Sequence, residues 1–192
     1  DPLEMEVFNT DKEELDITDT DEVLNFGVIN RPDVIINCAA VTDTDLCEKE
    51  PELAYRVNAL GARNLSIVAR KTGAKMVQIS TDDVFDGIRH TPYTEFDDTN
   101  PKTVYGRSKR AGENYVKEFT HKHFILRSNW VYGNGNNFVN RILHAADTKD
   151  ELLIASDQFG SPTSAKDLAR IILYLIKTNE YGTYHATCQG VC

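Results

Sequence analysis

The chain has 192 residues, 41% of them apolar and 27% charged, which is enough for one domain with a substantial core and ordinary for a soluble globular protein. Its net charge of −9 argues against nucleic acid as a partner, because phosphate binding wants clustered Lys and Arg. No apolar run approaches the roughly 18 residues of a membrane span, and the first residues lack a signal-peptide pattern.

In chain order, Glu4 to Asn9 reads as a short strand, followed by polar Thr10-Asp11-Lys12. Asp19-Thr20-Asp21-Glu22 opens a helix with a capping residue, acids in its first turn and apolar Val23, Leu24, Phe26 and Ile29 behind them; Pro32 ends it. Asp33 to Cys38 is a continuous apolar run, the pattern of a strand buried on both faces of a parallel sheet. It leads into Ala39-Ala40-Val41-Thr42, small residues against which a dinucleotide can lie or which merely allow close packing. Pro51 starts a long helix to about Lys71, with Tyr55, Val57, Leu60, Leu65, Val68 and Ala69 as its apolar stripe. Gly73 terminates it, and Lys75–Ile79 forms the next strand.

That strand ends abruptly in Ser80-Thr81-Asp82, and Tyr105 and Lys109 follow with three residues between them. The text from Tyr105 to Glu113 is helix-like, so the two side chains lie one turn apart on one face. A tyrosine is a poor acid near neutrality because its ordinary pKa is about 10; an ammonium within roughly 4–6 Å is expected to lower it. Thr81, at the neighbouring strand end, can hydrogen-bond both the phenol and a substrate oxygen. In a chain with eight Tyr the Tyr-x-x-x-Lys spacing alone is weak and reads equally as an exposed helical pair. Its setting is not weak: the strand-end Ser-Thr-Asp, the Val84-Phe85-Asp86-Gly87 turn and the Tyr105-Gly106-Arg107-Ser108-Lys109…Gly112-Glu113 frame occur together.

Further on, His123 to Ser128 is a strand that delivers Asn129-Trp130 at its end. Residues 133–137 form a flexible turn before a helix over Phe138–Ala146. Leu152–Ser156 reads as a strand, Ser164–Lys177 as an amphipathic helix and Tyr184-His185-Ala186 as a short strand. Strands alternating with helices of 10–20 residues mean βαβ units. The expected fold is a Rossmann-type doubly wound parallel sheet in which the first βα unit and part of a substrate domain are missing. Ligands of such sheets bind outside the carboxyl ends of the strands, which gathers residues 38–42, 80–82 and 128–130 around one crevice. The four cysteines, Cys38, Cys47, Cys188 and Cys192, form no Cys-x-x-Cys. They read as reduced thiols in a cytoplasmic protein, with no metal site.

The frame Ser-Thr-Asp-x-Val-Phe-Asp-Gly…Tyr-Gly-x-Ser-Lys-x-x-Gly-Glu resembles the extended short-chain dehydrogenase/reductase superfamily and, within it, the dTDP-4-dehydrorhamnose reductase family. The resemblance runs from Leu15-Asp16-Ile17-Thr18 to Tyr181-Gly182-Thr183-Tyr184-His185 and includes the loop Asp157-Gln158-Phe159-Gly160-Ser161-Pro162-Thr163. It implies NADPH- or NADH-dependent reduction of a nucleotide-linked keto sugar by Thr81, Tyr105 and Lys109. It also implies cofactor contacts at Asp11, Asp16, Ile17, Ala39, Ala40, Val41, Thr42, Asn58, Tyr105 and Lys109, and substrate contacts at Thr81, Asp82 and Trp130. Asn58 reads equally as a structural buried amide and Trp130 as a core anchor. Asp11 favours NAD by bonding a ribose hydroxyl, whereas Lys12 suits the 2′-phosphate of NADP, and the choice stays open. Residues 1–133 form the dinucleotide-binding part, and residues 134–192 are shared between the sheet and the substrate region. The glycine-rich loop of the family does not occur before Asp11, so these residues alone are expected to hold NADH poorly and to turn nothing over. Asp83 departs from the family's aromatic residue, and Val41 from a common polar ring. Another nucleotide-sugar epimerase or dehydratase of the superfamily, or a non-catalytic subunit with the same fold, is the alternative reading, and a homodimer is left open.

Overall fold

Several helices are closed by local devices that the sequence supplies. In the computed structural model, which describes residues 5–135, 137–149, 151–155 and 157–191, α1 (Thr20–Asn30) begins where the Asp19 carboxylate accepts the amides of Asp21 and Glu22, both at 3.0 Å. These are amides that a helix N-terminus otherwise leaves unbonded. β1 (Val34–Asn37) and a short helix α2 (Thr44–Lys49) follow. The helical run from Pro51 is three segments: α3 (Pro51–Tyr55), a π-helical turn over Arg56–Gly61, and α4 (Ala62–Thr72), closed by Gly73 at φ 78°. β2 (Lys75–Thr81), a 3-10 turn over Asp82–Val84, α5 (Val104–Phe119) and β3 (His123–Ser128) form the centre. The rest is β4 (Val131–Tyr132), α6 (Phe138–Ala146), β5 (Thr163–Ser164), α7 (Ala165–Leu175) and β6 (Gly182–His185).

The main sheet has the order β1-β2-β3-β6 with every neighbour parallel, and β4 and β5 form a separate parallel pair. Because side chains alternate across a strand, β2 and β3 feed two cores. Met76 and Ile125 join Leu65, Val68, Ala69 and Val116 from α4 and α5, with Val23 from α1 behind them. Val77, Phe124 and Leu126 join Leu168, Ile172 and Leu175 of α7 on the other face. Helices on both faces of a parallel sheet make the Rossmann-type α/β architecture expected from the alternating pattern.

Several local expectations are corrected. Residues 5–9 are not a strand: no described strand lies beside them to accept their backbone bonds, and Met5, Val7 and Phe8 are exposed. Residues 152–155 likewise form no strand among the described residues, with Leu153 and Ile154 exposed. β1 is an edge strand among the described residues, so it is only half-buried and Ile36 faces solvent, contrary to its continuous apolar run. Tyr55 and Leu60 leave the expected stripe and are exposed, because the π turn adds a residue to the helical repeat and rotates the faces on either side of it. Glu4, Asn136, Ser156 and Cys192, which belong to the expected first strand, the flexible turn, the fifth expected strand and the thiol set, lie outside the described residues. Cys38, Cys47 and Cys188 are free thiols. Among the described residues no helix is long and apolar enough to cross a membrane.

Candidate active site

The carboxyl ends of β1, β2 and β3 are tied to one another by side chains. At the end of β1, Asn37 donates to the Gln78 side chain of β2 at 2.9 Å and accepts the Ala39 amide at 3.1 Å. The loop that follows is pinned by Asn58: its carbonyl accepts the Val41 amide at 2.8 Å and its amide donates to the Val41 carbonyl at 3.0 Å. That same amide donates to the Ser108 hydroxyl of α5 at 2.9 Å. Asn58 sits in the π turn, a feature often found at functional sites. The helix bearing Ser108 comes close because residue 112 is glycine: a Cβ there would stand 2.3 Å from the Asn58 carbonyl oxygen. Ala39 and Thr42 are exposed, and Ala40 and Val41 half-buried, along the surface this pinning creates.

Thr81, Tyr105 and Lys109 meet at the end of β2. Thr81 is buried, accepts the Asp83 amide at 3.2 Å and donates to the Asp82 carboxylate at 3.2 Å. Its hydroxyl also lies near the Tyr105 phenol. Lys109 is buried, and its ammonium donates to the carbonyl of Ile79 at 2.7 Å, two residues before Thr81. The register of α5 against the strand end is set at its start, where Thr103 caps by accepting the Gly106 amide at 2.9 Å and Glu48 of α2 accepts the Val104 amide at 2.7 Å.

The electrostatics reverse one expectation. The Tyr105 pKa lies well above the ordinary phenol value: burial is the main cause, the Asp83 and Asp82 carboxylates add to it, and the bond to Thr81 opposes it. The Lys109 ammonium is turned to the Ile79 carbonyl and is not what governs the phenol. Lys109 itself is pulled down to about 8, by burial first, against the opposing pull of Glu113 and Cys38. Asp82 is pushed up to about 6 by burial and then by the neighbouring Asp83 charge. Its carboxylate also accepts a hydrogen bond from the Asn129 side chain. At neutral pH the cluster therefore holds a protonated phenol rather than a phenolate.

Not every expected residue joins this cluster. Asp11 is exposed, and its carboxylate is taken up by the amides of Glu13 and Glu14 at 2.8 and 3.1 Å. Asp16 accepts the Thr18 amide at 2.9 Å, which holds its carboxyl below the usual range. Ile17 packs on Gly61 and gives its carbonyl to Asn64 at 3.0 Å, at the start of α4. Trp130, at φ 38°, is no core anchor: it is half-buried, lies against Gly160 and stands 6.3 Å from the Phe138 ring. The ion-paired set behind the strand ends, Ser80, Glu113 and Arg127, was not assigned a role from sequence. Glu113 shares the buried stripe of α5 with Lys109, Gly112 and Val116, and a carboxylate on an otherwise inward face was the signal available.

The family described as the RmlD substrate binding domain matches residues 1–192. The spore coat polysaccharide biosynthesis protein SpsK of Bacillus subtilis (strain 168) is 43% identical over 188 residues, covering 97% of this chain and 66% of that protein. The crystal structure of a dTDP-4-dehydrorhamnose reductase from Clostridium acetobutylicum superposes with a TM-score of 0.97 at 48% identity, over 100% of this chain and 68% of that one. The enzyme of the same description from Bacillus anthracis, in complex with NADP, superposes with a TM-score of 0.96 at 45% identity, over 100% of this chain and 69% of that one. The chain thus spans about two thirds of the length of these relatives.

Proposed function

Because the chain belongs to the dTDP-4-dehydrorhamnose reductase family, we propose that it takes part in the NAD(P)H-dependent reduction of dTDP-4-dehydrorhamnose to dTDP-L-rhamnose, a precursor of cell-surface polysaccharide. The observation that carries this reading is the meeting of Thr81, Tyr105 and Lys109 at one strand end, with the phenol protonated. NAD(P)H, when bound, supplies the hydride that reaches the carbonyl carbon of the sugar. The residues present fit such a group. An ammonium carries three N–H donors, and among the described residues Lys109 spends one on the Ile79 carbonyl, so its remaining donors suit the hydroxyls of a ribose. The pinned loop Ala39–Thr42 offers small side chains over which a dinucleotide lies, and Asn58 holds that loop in place. Asp11, Asp16 and Ile17 are the proposed adenosine-side contacts.

Tyr105 then gives its proton to the oxygen that becomes an alkoxide. An alkoxide is a stronger base than a phenolate, so a phenol with a raised pKa still protonates it. Thr81 hydrogen-bonds the same oxygen and steadies the charge that develops there. Asp82 and Trp130 border the sugar. Residues 1–133 supply the cofactor side, and residues 134–192 supply segments that border the substrate. The reading puts the chain in the cytoplasm, acting on a nucleotide sugar and not on nucleic acid, with a homodimer as the assembly to look for by light scattering.

Tyr105→Phe tests it, since it keeps the ring and removes only the proton donor. In the full-length protein, NAD(P)H consumption with dTDP-4-dehydrorhamnose is expected to fall by about 100-fold or more, with an unchanged circular dichroism spectrum. Full turnover in the variant overturns the assignment.

A further inference from the structure

Lys109 is 4% exposed and Glu113 0% exposed, one turn apart on the inward face of α5. A buried charge is costly unless it is paired and hydrogen-bonded, and Glu113 is fully engaged. One of its oxygens accepts the Ser80 hydroxyl at 2.7 Å and Arg127 Nε at 2.8 Å; the other accepts Arg127 Nη2 at 2.8 Å and Arg110 Nη1 at 3.0 Å. Ser80 and Arg127 face each other across β2 and β3, one residue before Thr81 and Ser128. One carboxylate therefore clamps the ends of both strands to the helix that carries Tyr105 and Lys109.

We propose that Glu113 is a positioning residue for the reduction: through Ser80 it fixes the strand end that presents Thr81, and from one turn along the buried face of α5 it places a carboxylate beside Lys109. The inference deepens the reductase reading and rests on it. Burial alone drives Lys109 toward the neutral amine, and the charge opposing that drive is Glu113 on its own helix, with the Ile79 carbonyl of β2 as the hydrogen-bond acceptor; Cys38 from the loop after β1 adds to it only when its thiol, itself pushed up by burial, ionises. Facing Glu113 in turn are Arg110 and Lys117 of α5, Ser80 of β2, Arg127 of β3 and His185 of β6. Ion pairs this deep are often replaceable by apolar groups without loss of stability. Stability alone therefore does not account for the pair, whereas the state of Lys109 depends on it.

The test uses the whole chain labelled with 13C-lysine, with Lys109→Arg identifying the Lys109 resonance. In the wild type that resonance is expected to titrate near 8. In Glu113→Gln it is expected to titrate at least about one pH unit lower, a tenfold loss of proton affinity. The alkaline limb of kcat/KM should move by the same amount, so that activity lost at pH 8 returns at lower pH. Should the single variant fail to fold because Arg127 loses its counter-charge, Glu113→Gln combined with Arg127→Met removes both buried charges together; the repulsion from Arg127 is then lost with the attraction from Glu113, so the resonance is expected to move down by less than in the single variant. An unmoved Lys109 titration beside an active wild type overturns the inference. A full-length protein containing this chain that reduces no nucleotide-linked keto sugar overturns instead the reading on which it rests.

Discussion

Two regions of this molecule break the usual division between a dry apolar interior and a wet polar surface, and they break it in opposite directions. Around the end of β2, Lys109, Glu113 and Arg127 are charged side chains with 0–4% exposure. From α6 to residue 159, large apolar side chains stand in solvent: Leu143 is 60% exposed, Phe159 78% and Leu153 fully exposed. The first region compensates for its exception internally, since every one of those charges has hydrogen-bond partners on a neighbouring element. The second does not, because among the described residues no side chain of α6 is buried. Buried charge that is wired in place is expected to work at a cost in stability, whereas exposed apolar surface contributes little to folding of this chain. Substitutions can break or sharpen that contrast.

The largest effect is expected at Lys109. Its folded pKa is depressed to about 8 from 10.5, so between those values the unfolded chain binds more protons than the folded one. Stability then rises with pH across that window, and below it the full cost of burying the ammonium is present. Lys109→Met removes a cost of roughly 3 kcal/mol at pH 7 and strands the Ile79 carbonyl, at about 1 kcal/mol. The variant should be more stable than the wild type by about 2 kcal/mol in urea at pH 7, lose the rise in stability above pH 8, and lose the proposed activity. A variant less stable than the wild type at pH 7 would show that Lys109 is retained for the fold.

How far this was legible in the sequence differs between the same two regions. Thr81, Tyr105 and Lys109 were readable because a strand end and a helical repeat of four bring fixed spacings to one place. The end of α1 at Arg31 and of α4 at Gly73 was readable from Pro32 and the glycine itself. The direction of the phenol's pKa was not: spacing puts an ammonium one turn away but does not say that it turns toward the Ile79 carbonyl, or that burial dominates. Neither was the π turn at Asn58, whose amide pairs with Val41 and Ser108, residues far away in the sequence that no local pattern brings into view. Apolar Leu152-Leu153-Ile154 looks like a strand because the pattern records side chains only. A strand also needs a partner for its backbone, and none of the described strands provides one.

A smaller effect is expected at Asp82. Its carboxyl is raised to about 6 from 3.8, by burial first and then by Asp83, so between those values the folded state holds the extra proton. Stability contributed by this group therefore falls as pH rises through that window, and the whole cost is present above pH 6. Asp82→Asn keeps an acceptor for Thr81 and removes the charge. It should stabilise the chain by about 1 kcal/mol at pH 7.5, an amount already discounted for the solvent that reaches this side chain. The difference between variant and wild type should vanish below pH 4. Urea titrations at the two pH values check both statements, and a difference that persists at low pH would mean that the gain has nothing to do with the proton.

The smallest effect belongs to the exposed side. Leu153 is 102% exposed, so Leu153→Ser takes no apolar area out of the core and leaves no cavity. Surface substitutions of this kind shift stability by no more than about 0.5 kcal/mol. The urea midpoint should therefore be that of the wild type within error, while Lys109→Met moves it plainly in the stabilising direction. A loss of more than about 1 kcal/mol in Leu153→Ser, beyond the range for a surface position, would mean that this leucine is packed in solution. The contrast between the two regions would then reduce to the buried charges alone.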